Sequence, residues 1–327
     1  MLTKLRSSAM HMVHTVTGLS PLVYLFAVGS FMLPFVTSDF YLMELVVIAI
    51  LFALFAASWD ILCGYTDQPS FGHALFIGGA GYIAAILNRN FDFSPWVTVP
   101  LSASIVAVLG AFIGVLTLRL RGPYFALATI AFSAAFYRLI YIQRPTTGGD
   151  EGLTGVDPFT FSVEGDLQIT VSVFLVSVIL LSAFARSHYG LILRTTRHNE
   201  EAAQASGINT AYYKIVGFAV SAFFAGIAGA LYTHTHMQIT PGMAAGGLSV
   251  LVVLMATIGG AGTLVGPILI AALLAYFNQW LRIVEEYRMV LFMGTLVALI
   301  YLYPKGLANA PWLKRAPSIR RLLLGRD

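Results

Sequence analysis

The chain has 327 residues, of which 58% are hydrophobic and only 10% are charged, and its mean hydropathy is +0.80. A soluble domain usually carries about 25% charged residues. The 19 basic and 15 acidic side chains present here are too few to cover a soluble protein of this size. The composition therefore excludes a soluble protein and a disordered one, and it predicts an integral membrane protein. The single cysteine, Cys63, excludes a disulfide framework within the chain.

Apolar segments follow one another along the chain, and about ten of them have the length of a membrane-spanning helix, roughly 20 residues. In chain order they cover residues 19–38, 41–63, 70–87, 96–118, 124–142, 168–184, 215–232, 244–258, 264–281 and 289–303. The predicted fold class is an all-α polytopic membrane protein, with one transmembrane domain over residues 1–327. Residues 259–263 are either a tight turn between two spans or a break in a re-entrant segment.

The charged loops predict the orientation of these spans, because short cytoplasmic loops carry an excess of Lys and Arg. Ten spans place every strongly basic region on one side of the membrane. These regions are Lys4 and Arg6, Arg119 and Arg121, the segment 186–214 and the tail 304–327. The acidic segment 146–166, which has no Lys or Arg, falls on the other side. We therefore expect both termini in the cytoplasm, with the basic tail 304–327 anchored at anionic lipid.

The long hydrophilic segment 186–214 predicts a short cytoplasmic helix. Asn199 fits the N-cap position, Glu200 and Glu201 follow in the first turn, where the helix dipole favours acidic side chains, and Gly207 fits the helix end. The pattern indicates a helix of about two turns. Such a helix is either a solvated surface element or a docking element for a cytosolic partner.

Patterns for catalysis, metal binding and nucleotide binding are weak. The histidine pairs His11/His14 and His234/His236 lack the Cys or matched carboxylate of a metal centre, so no metal site is expected. The chain has no Gly-Lys dipeptide and hence no Walker A loop. The basic residues flank apolar segments, so nucleic-acid binding is not expected. No nucleophile–base set or carboxylate pair is visible, which disfavours a membrane enzyme.

The few charges within the apolar segments bear on whether the chain is an ion-coupled transporter. Glu44, Asp60 and Arg138 lie near the ends of predicted spans, where a side chain can reach the membrane interface. An ion-coupled transporter more usually keeps an ionisable residue near mid-bilayer. The positions of these charges therefore disfavour a stand-alone secondary transporter or channel, which is kept as an alternative.

Several stretches resemble one family of membrane proteins. Residues 64–74 (GYTDQPSFGHA) resemble its Gly-Tyr-x-Gly-Gln-x-Ser-x-Gly-His-Ala signature, and residues 119–129 (RLRGPYFALAT) resemble its Arg-Gly-x-Tyr-Phe-Ala segment. Residues 147–155 (TGGDEGLTG) resemble its Thr-Gly-Gly-x-x-Gly-Leu-x-Gly loop, and 197–232 and 259–267 complete the match. These stretches come in the same order as in the permeases of branched-chain amino acid ABC importers. Of the two paired permeases in such importers, the chain resembles the second (M-type).

The predicted cytoplasmic helix carries a second resemblance. Glu201-Ala202-Ala203-x-x-x-Gly207 resembles the EAA loop of ABC-importer permeases, although the usual Ile-x-Leu-Pro ending is absent. The resemblance implies that segment 186–214 is the cytoplasmic coupling loop to the ATPase. The coupling residues it implies are Asn199, Glu200, Glu201, Ala202, Ala203 and Gly207.

The resemblance also implies partners, a location and a solute pathway. The partners are a second homologous permease, two cytosolic ATPase subunits that bind ATP and magnesium, an extracytoplasmic substrate-binding protein and membrane lipid. The chain itself would be no enzyme, would bind no cofactor and would lie in the cytoplasmic (inner) membrane of a bacterial-type cell. The candidate pathway residues are Ser70, His73, Tyr124, Thr129 and Ser133, although helix–helix hydrogen bonding explains them nearly as well.

The solute class stays open at this point. The resemblance implies branched-chain aliphatic amino acids. Asp67 and Pro69 replace the small and apolar residues usual in the first signature, and Asp60 stands where the family more often has Asn. Sibling systems that look similar carry urea or short amides, so these solutes are the alternative.

Overall fold

The computed structural model describes residues 20–117, 120, 122–303 and 306–307. Several charges used to predict the orientation lie outside these residues, as does one histidine pair. They are Lys4, Arg6, Arg119, Arg121, His11 and His14, together with nearly all of the tail 304–327.

Each predicted apolar segment contains a helix, so the all-α class is confirmed. The helices are α1 (Pro21–Val36), α2 (Phe40–Trp59), α3 (His73–Phe91), α4 (Pro95–Thr117), α5 (Pro123–Ile142), α6 (Val163–Arg186), α7 (His188–His198), α8 (Glu200–Ala205), α9 (Thr210–Thr235), α10 (Gly246–Gly259), α11 (Val265–Trp280) and α12 (Arg288–Leu302). A π-helical turn, Asp60–Gly64, continues α2. Short helical segments cover Arg144–Thr147, Pro241–Ala244 and Leu281–Tyr287.

Five of the described helices are long and apolar enough to cross a membrane. They are Phe40–Gly64, Pro95–Thr117, Pro123–Ile142, Val163–Arg186 and Thr210–Thr235. Among the other apolar helices, α10 has only 14 residues. At 1.5 Å per residue it is roughly 21 Å long, against a hydrocarbon core of about 30 Å. A multi-pass membrane protein is thus established, whereas the count of ten spans stays a prediction.

Polar caps decide where several helices begin. Oδ1 of Asp39 accepts hydrogen bonds from the N–H groups of Tyr41 (3.0 Å) and Leu42 (3.2 Å) at the start of α2. Ser162 accepts one from Gly165 (3.1 Å) at the start of α6. Because this cap satisfies free N–H groups of a polar first turn, α6 begins five residues before the apolar segment that predicts it.

Small residues allow the central helix α9 to pack closely on α4. A Cβ added at Gly110 would collide with Ala222, and one added at Gly226 would press on Ala103. In lipid the hydrophobic effect does not drive helices together, so close backbone approach and van der Waals contact hold them. Gly110 and Gly226 are therefore the positions at which α4 and α9 approach most closely without room for a side chain.

A small polar cap closes one end of the bundle, where the acidic segment 146–166 lies. The strand Leu153–Thr154 pairs antiparallel with Gln238–Ile239, with Leu153 opposite Ile239. Asn88 Nδ2 donates to the Asp157 carboxylate (2.9 Å), and Asn88 Oδ1 accepts from the Asp157 N–H (2.8 Å). This two-residue ladder is too short for hydrophobic alternation to reveal it.

The segment 244–281 forms a helical hairpin of α10 and α11. Gly259 and Gly266 bring the backbones of the two helices into contact, so a Cβ at either position would collide with the backbone of the facing helix. The connection at 260–264 is a tight turn, with Gly260 and Gly262 at positive φ. The number of membrane crossings that the hairpin contributes stays a prediction.

Candidate functional site

The predicted short helix is present as α8, and both of its ends are capped. Asn199 Oδ1 accepts from the Ala202 N–H at 2.9 Å. At the other end Gly207 has φ +82, a conformation in which a side chain is strained. The Gly207 N–H bonds the Gln204 carbonyl (2.9 Å) and the Ile208 N–H bonds the Ala203 carbonyl (3.2 Å), which together form a Schellman motif.

The predicted coupling residues divide into an anchoring group and an exposed group. Ala203 is buried, and Glu200 Oε1 accepts from Lys214 Nζ at 2.7 Å, where the Lys214 side chain is only 2% exposed. Asn199 acts as the cap. Glu201, Ala202 and Gly207 lie on the exposed surface. The helix is therefore fixed to α9 on one side and presents small residues with one carboxylate on the other. We call this surface, Glu201, Ala202 and Gly207, the docking face.

The preceding helix α7 connects this region to the membrane helices through two arginines. Arg194 donates to the Tyr65 hydroxyl at 2.6 Å, and its guanidinium carbon lies 4.4 Å from the centre of the Tyr65 ring. Arg197 donates to the carbonyl oxygens of Gly64 (2.5 Å) and Ala261 (3.3 Å). Both bonds come from Nη1, a single guanidinium nitrogen that carries two hydrogens.

Asp60 binds the same turn from inside the bundle. Its Oδ1 accepts from the Gly262 N–H (2.6 Å) and its Oδ2 from the Leu264 N–H (2.8 Å). Gly64 lies against both Asp60 and Gly262, leaving no room for a Cβ. We call the set Asp60, Gly64, Arg197, Gly262 and Leu264 the turn junction. Asp60 is fully buried here and does not reach the interface, contrary to the sequence interpretation.

Replacing Asp60 should lower stability in a graded manner. Asp60→Asn retains one acceptor and Asp60→Ala retains none, and each unpaired buried N–H costs about 1–3 kcal/mol. We expect the melting temperature of the purified protein to fall from wild type to Asn to Ala. Asp67→Asn is the matched control, because the Asp67 side chain is 75% exposed and 3.9 Å from Arg197. Equal melting of wild type and Asp60→Ala would contradict the assignment.

A second polar region surrounds the start of α3. Ser70, His73 and Thr129 are buried there. The Thr129 hydroxyl accepts from the Phe71 N–H at 3.1 Å, and Trp59 Nε1 donates to the Ser70 carbonyl at 2.8 Å. Polar groups buried in an apolar bundle are costly unless hydrogen-bonded. We call Ser70, His73 and Thr129, with the hydroxyls of Ser221 and Ser249 that contact α3, the α3 polar cluster.

The structure brings together only some of the predicted pathway residues. Ser133, one turn beyond Thr129 on α5, donates to the Ala244 carbonyl at 3.3 Å and is fully buried. Tyr124 is 70% exposed on the outer surface of α5 and lies apart from the polar cluster. Ser221 and Ser249 were missed by sequence reasoning. The available signal was one serine within each apolar run, at 215–232 and 244–258.

The remaining histidine pair makes ordinary hydrogen bonds. His234 contacts the Thr98 hydroxyl at 2.6 Å and the Asp157 carbonyl at 2.7 Å. His236 stacks on Tyr232, and burial lowers its pKa below the ordinary value. Within the described residues no group of three His, Cys, Asp or Glu side chains converges as a metal site would require.

Comparison with known proteins identifies the family. The family model for the branched-chain amino acid transport system permease component matches residues 41–300. The chain belongs to this permease family. It is 24% identical to the high-affinity branched-chain amino acid transport system permease proteins LivM of Salmonella typhimurium and Escherichia coli, over 81% of this chain and 69% of each relative. The resemblance read from the motifs is thereby confirmed.

The family likeness extends to a more distant relative. A probable branched-chain amino acid transport permease protein LivH of Methanocaldococcus jannaschii is 24% identical over 79% of this chain and 87% of that protein. No solved structure matches the chain. The chain is accordingly a multi-pass transport permease.

Proposed function

We propose that this permease is the M-type subunit of an ATP-binding-cassette importer for branched-chain aliphatic amino acids in a bacterial-type cytoplasmic membrane. The observation that carries the proposal is the docking face of α8. A helix of six residues is too short to be stable alone. Here caps at both ends and the Lys214 contact hold it rigid while Glu201 and Ala202 face outward. Such construction fits a rigid element that transmits force from a partner.

The proposed assembly contains four kinds of partner. A second homologous permease would share the solute path, two cytosolic ATPases would bind the docking faces, a substrate-binding protein would deliver solute from outside, and membrane lipid would surround the helices. ATP and magnesium belong to the ATPases in this proposal. Ten spans with both termini in the cytoplasm place segment 186–214 on the ATPase side and segment 146–166 on the delivery side.

The proposed mechanism is alternating access between two packed arrangements of the bundle. Closure of the ATPases moves α8 as a rigid body, and α7 transfers the motion to the turn junction through Arg197. The junction lies directly before the loop that enters α3, so its displacement changes access to the α3 polar cluster. Transport requires that the solute have different affinities in the two arrangements.

Uptake into right-side-out vesicles with ATP in the lumen tests this proposal against its rival. An importer driven by partner ATPases loses uptake when ATP is depleted and keeps it when an ionophore collapses ion gradients. A stand-alone secondary transporter shows the opposite pattern. Labelled leucine with unlabelled urea as competitor separates the amino-acid importer from a sibling for urea or short amides. Competition by urea at the concentration of leucine would overturn the amino-acid assignment.

A further inference from the structure

His73 occupies the first position of α3 and is held by a chain of hydrogen bonds that fixes its tautomer. Its Nε2 lies 2.8 Å from the Ser221 hydroxyl oxygen. Ser221 in turn donates its one hydroxyl hydrogen to the Ser58 carbonyl at 2.6 Å. Because a carbonyl only accepts, the Ser221 oxygen must accept from His73. Nε2 therefore carries the proton, and Nδ1 of the neutral ring is a bare acceptor.

Nδ1 of His73 has no hydrogen-bond partner among the residues that the structure describes, and the side chain is fully buried. A buried polar atom without a partner is unusual in a folded protein and calls for an explanation. The neighbouring groups do not supply a donor, since Ala74 N–H donates to Ser249 and Gly72 N–H donates to Ser70. Nδ1 of His73 is thus an acceptor that no described group uses.

We propose that Nδ1 of His73 accepts a hydrogen bond from an N–H group of the transported solute. This inference rests on the proposed function and adds the chemistry of one solute contact. The ammonium of an amino acid and the amide N–H of urea share that chemistry, whereas a carboxylate has no hydrogen to give. Because His73 is fully buried, the proposal requires that the bundle rearrange before solute reaches the ring.

Two substitutions separate this role from a structural one. Asn places an amide oxygen near the position of Nδ1 but does not reach Ser221. Gln reaches Ser221 with its amide N–H₂ and leaves the Nδ1 position without an acceptor. A solute-binding role therefore predicts that Asn substitutes better than Gln. A role in packing alone predicts the reverse order.

The experiment uses the wild-type, His73→Asn and His73→Gln chains, each reconstituted with co-purifying ATPases and saturating binding protein. We expect His73→Gln to lower uptake of labelled solute about tenfold or more, because the N–H donor of the solute then has no acceptor at this position. The melting temperature of His73→Gln should match wild type, and His73→Asn should keep uptake within about threefold. Wild-type uptake by His73→Gln, or equal loss in both variants, would overturn the inference.

Two further arms complete the test. Labelled leucine and labelled urea are each assayed, so that the solute whose N–H group contacts His73 is identified by its own loss of uptake in His73→Gln. If the variants do not assemble, ¹⁵N-histidine NMR of the wild-type complex should show an unprotonated Nδ1 resonance that moves on addition of solute. No moving histidine resonance would overturn the inference. A wild-type complex that takes up neither solute would instead overturn the proposed function.

Discussion

Replacing Ala202 with tryptophan is expected to abolish most ATP-driven uptake while the protein still inserts and folds. Ala202 is exposed at the centre of the docking face, and no described helix packs on its outer side. An indole at a closely packed contact typically costs about 1–3 kcal/mol. Since about 1.4 kcal/mol is tenfold in affinity, the ATPase should dock about 10- to 100-fold more weakly. Uptake and co-purification of ATPase from solubilised membranes measure the effect.

A matched control exists nine residues along the chain. Ala211 is also exposed, but it lies in the first turn of α9 and outside the docking face. Ala211→Trp should retain ATPase and uptake, and Glu201→Lys should act like Ala202→Trp because it reverses the only charge of the face. Coupled uptake at the wild-type rate in Ala202→Trp would remove the docking role of α8.

Replacing Arg197 with methionine should leave the ATPase bound but separate ATP hydrolysis from transport. The Arg197 guanidinium joins α7 to both the end of the π-helical turn and the 260–264 turn. A hydrogen bond from a charged group contributes about 1.5–3 kcal/mol. Losing the Gly64 contact should thus lower the equilibrium constant for contact between α7 and these two turns about tenfold or more. The measurement is the ratio of solute transported to ATP hydrolysed in the same vesicles.

Two further substitutions make this result specific. Arg197→Lys should be intermediate, because the lysine ammonium keeps the charge and the donors but reaches less far from the backbone than Arg197 Nη1, which donates to both carbonyls. His198→Gln changes the exposed neighbouring residue and should be neutral. If Arg197→Met keeps the wild-type transport ratio, the turn junction does not transmit motion from the coupling segment.

The sequence predicted those features that depend on local or bilayer physics. Apolar segments of suitable length placed each apolar helix, because the hydrocarbon core dictates both length and composition. The caps of α8 were also readable, since Asn199 and Gly207 satisfy backbone groups within the same short segment. Boundaries shifted where polar residues joined a helix, as at the first turn of α6.

The contacts between distant segments could not be predicted. Asp60 and Gly262 are 202 positions apart in the chain, and Arg197 and Gly64 are 133 apart. Nothing in one apolar run states which turn of another run will lie against it. Composition therefore suggested an interfacial Asp60, whereas packing buries it on two backbone N–H groups. The helix α7 was missed for a related reason, since its charged residues conceal a helix that only tertiary contacts stabilise.

The pathway prediction was limited in the same way. Ser70, His73 and Thr129 were selected from motifs, and the structure gathers them at the start of α3. Their hydrogen-bond partners Ser221 and Ser249 come from α9 and α10, and only folding brings these helices together. Tyr124 shares a motif with Thr129 but faces the other side of α5, because five residues turn a helix well past a full revolution.

The most direct test of the whole account is uptake by proteoliposomes that contain purified permease complex. Labelled leucine would be supplied outside with its binding protein, and ATP inside, with and without the co-purifying ATPase subunits. The account predicts accumulation of leucine only when ATPases and ATP are both present, and no effect of an ionophore. Accumulation by this chain without ATPases, or its loss on addition of the ionophore, would contradict an ATP-driven permease.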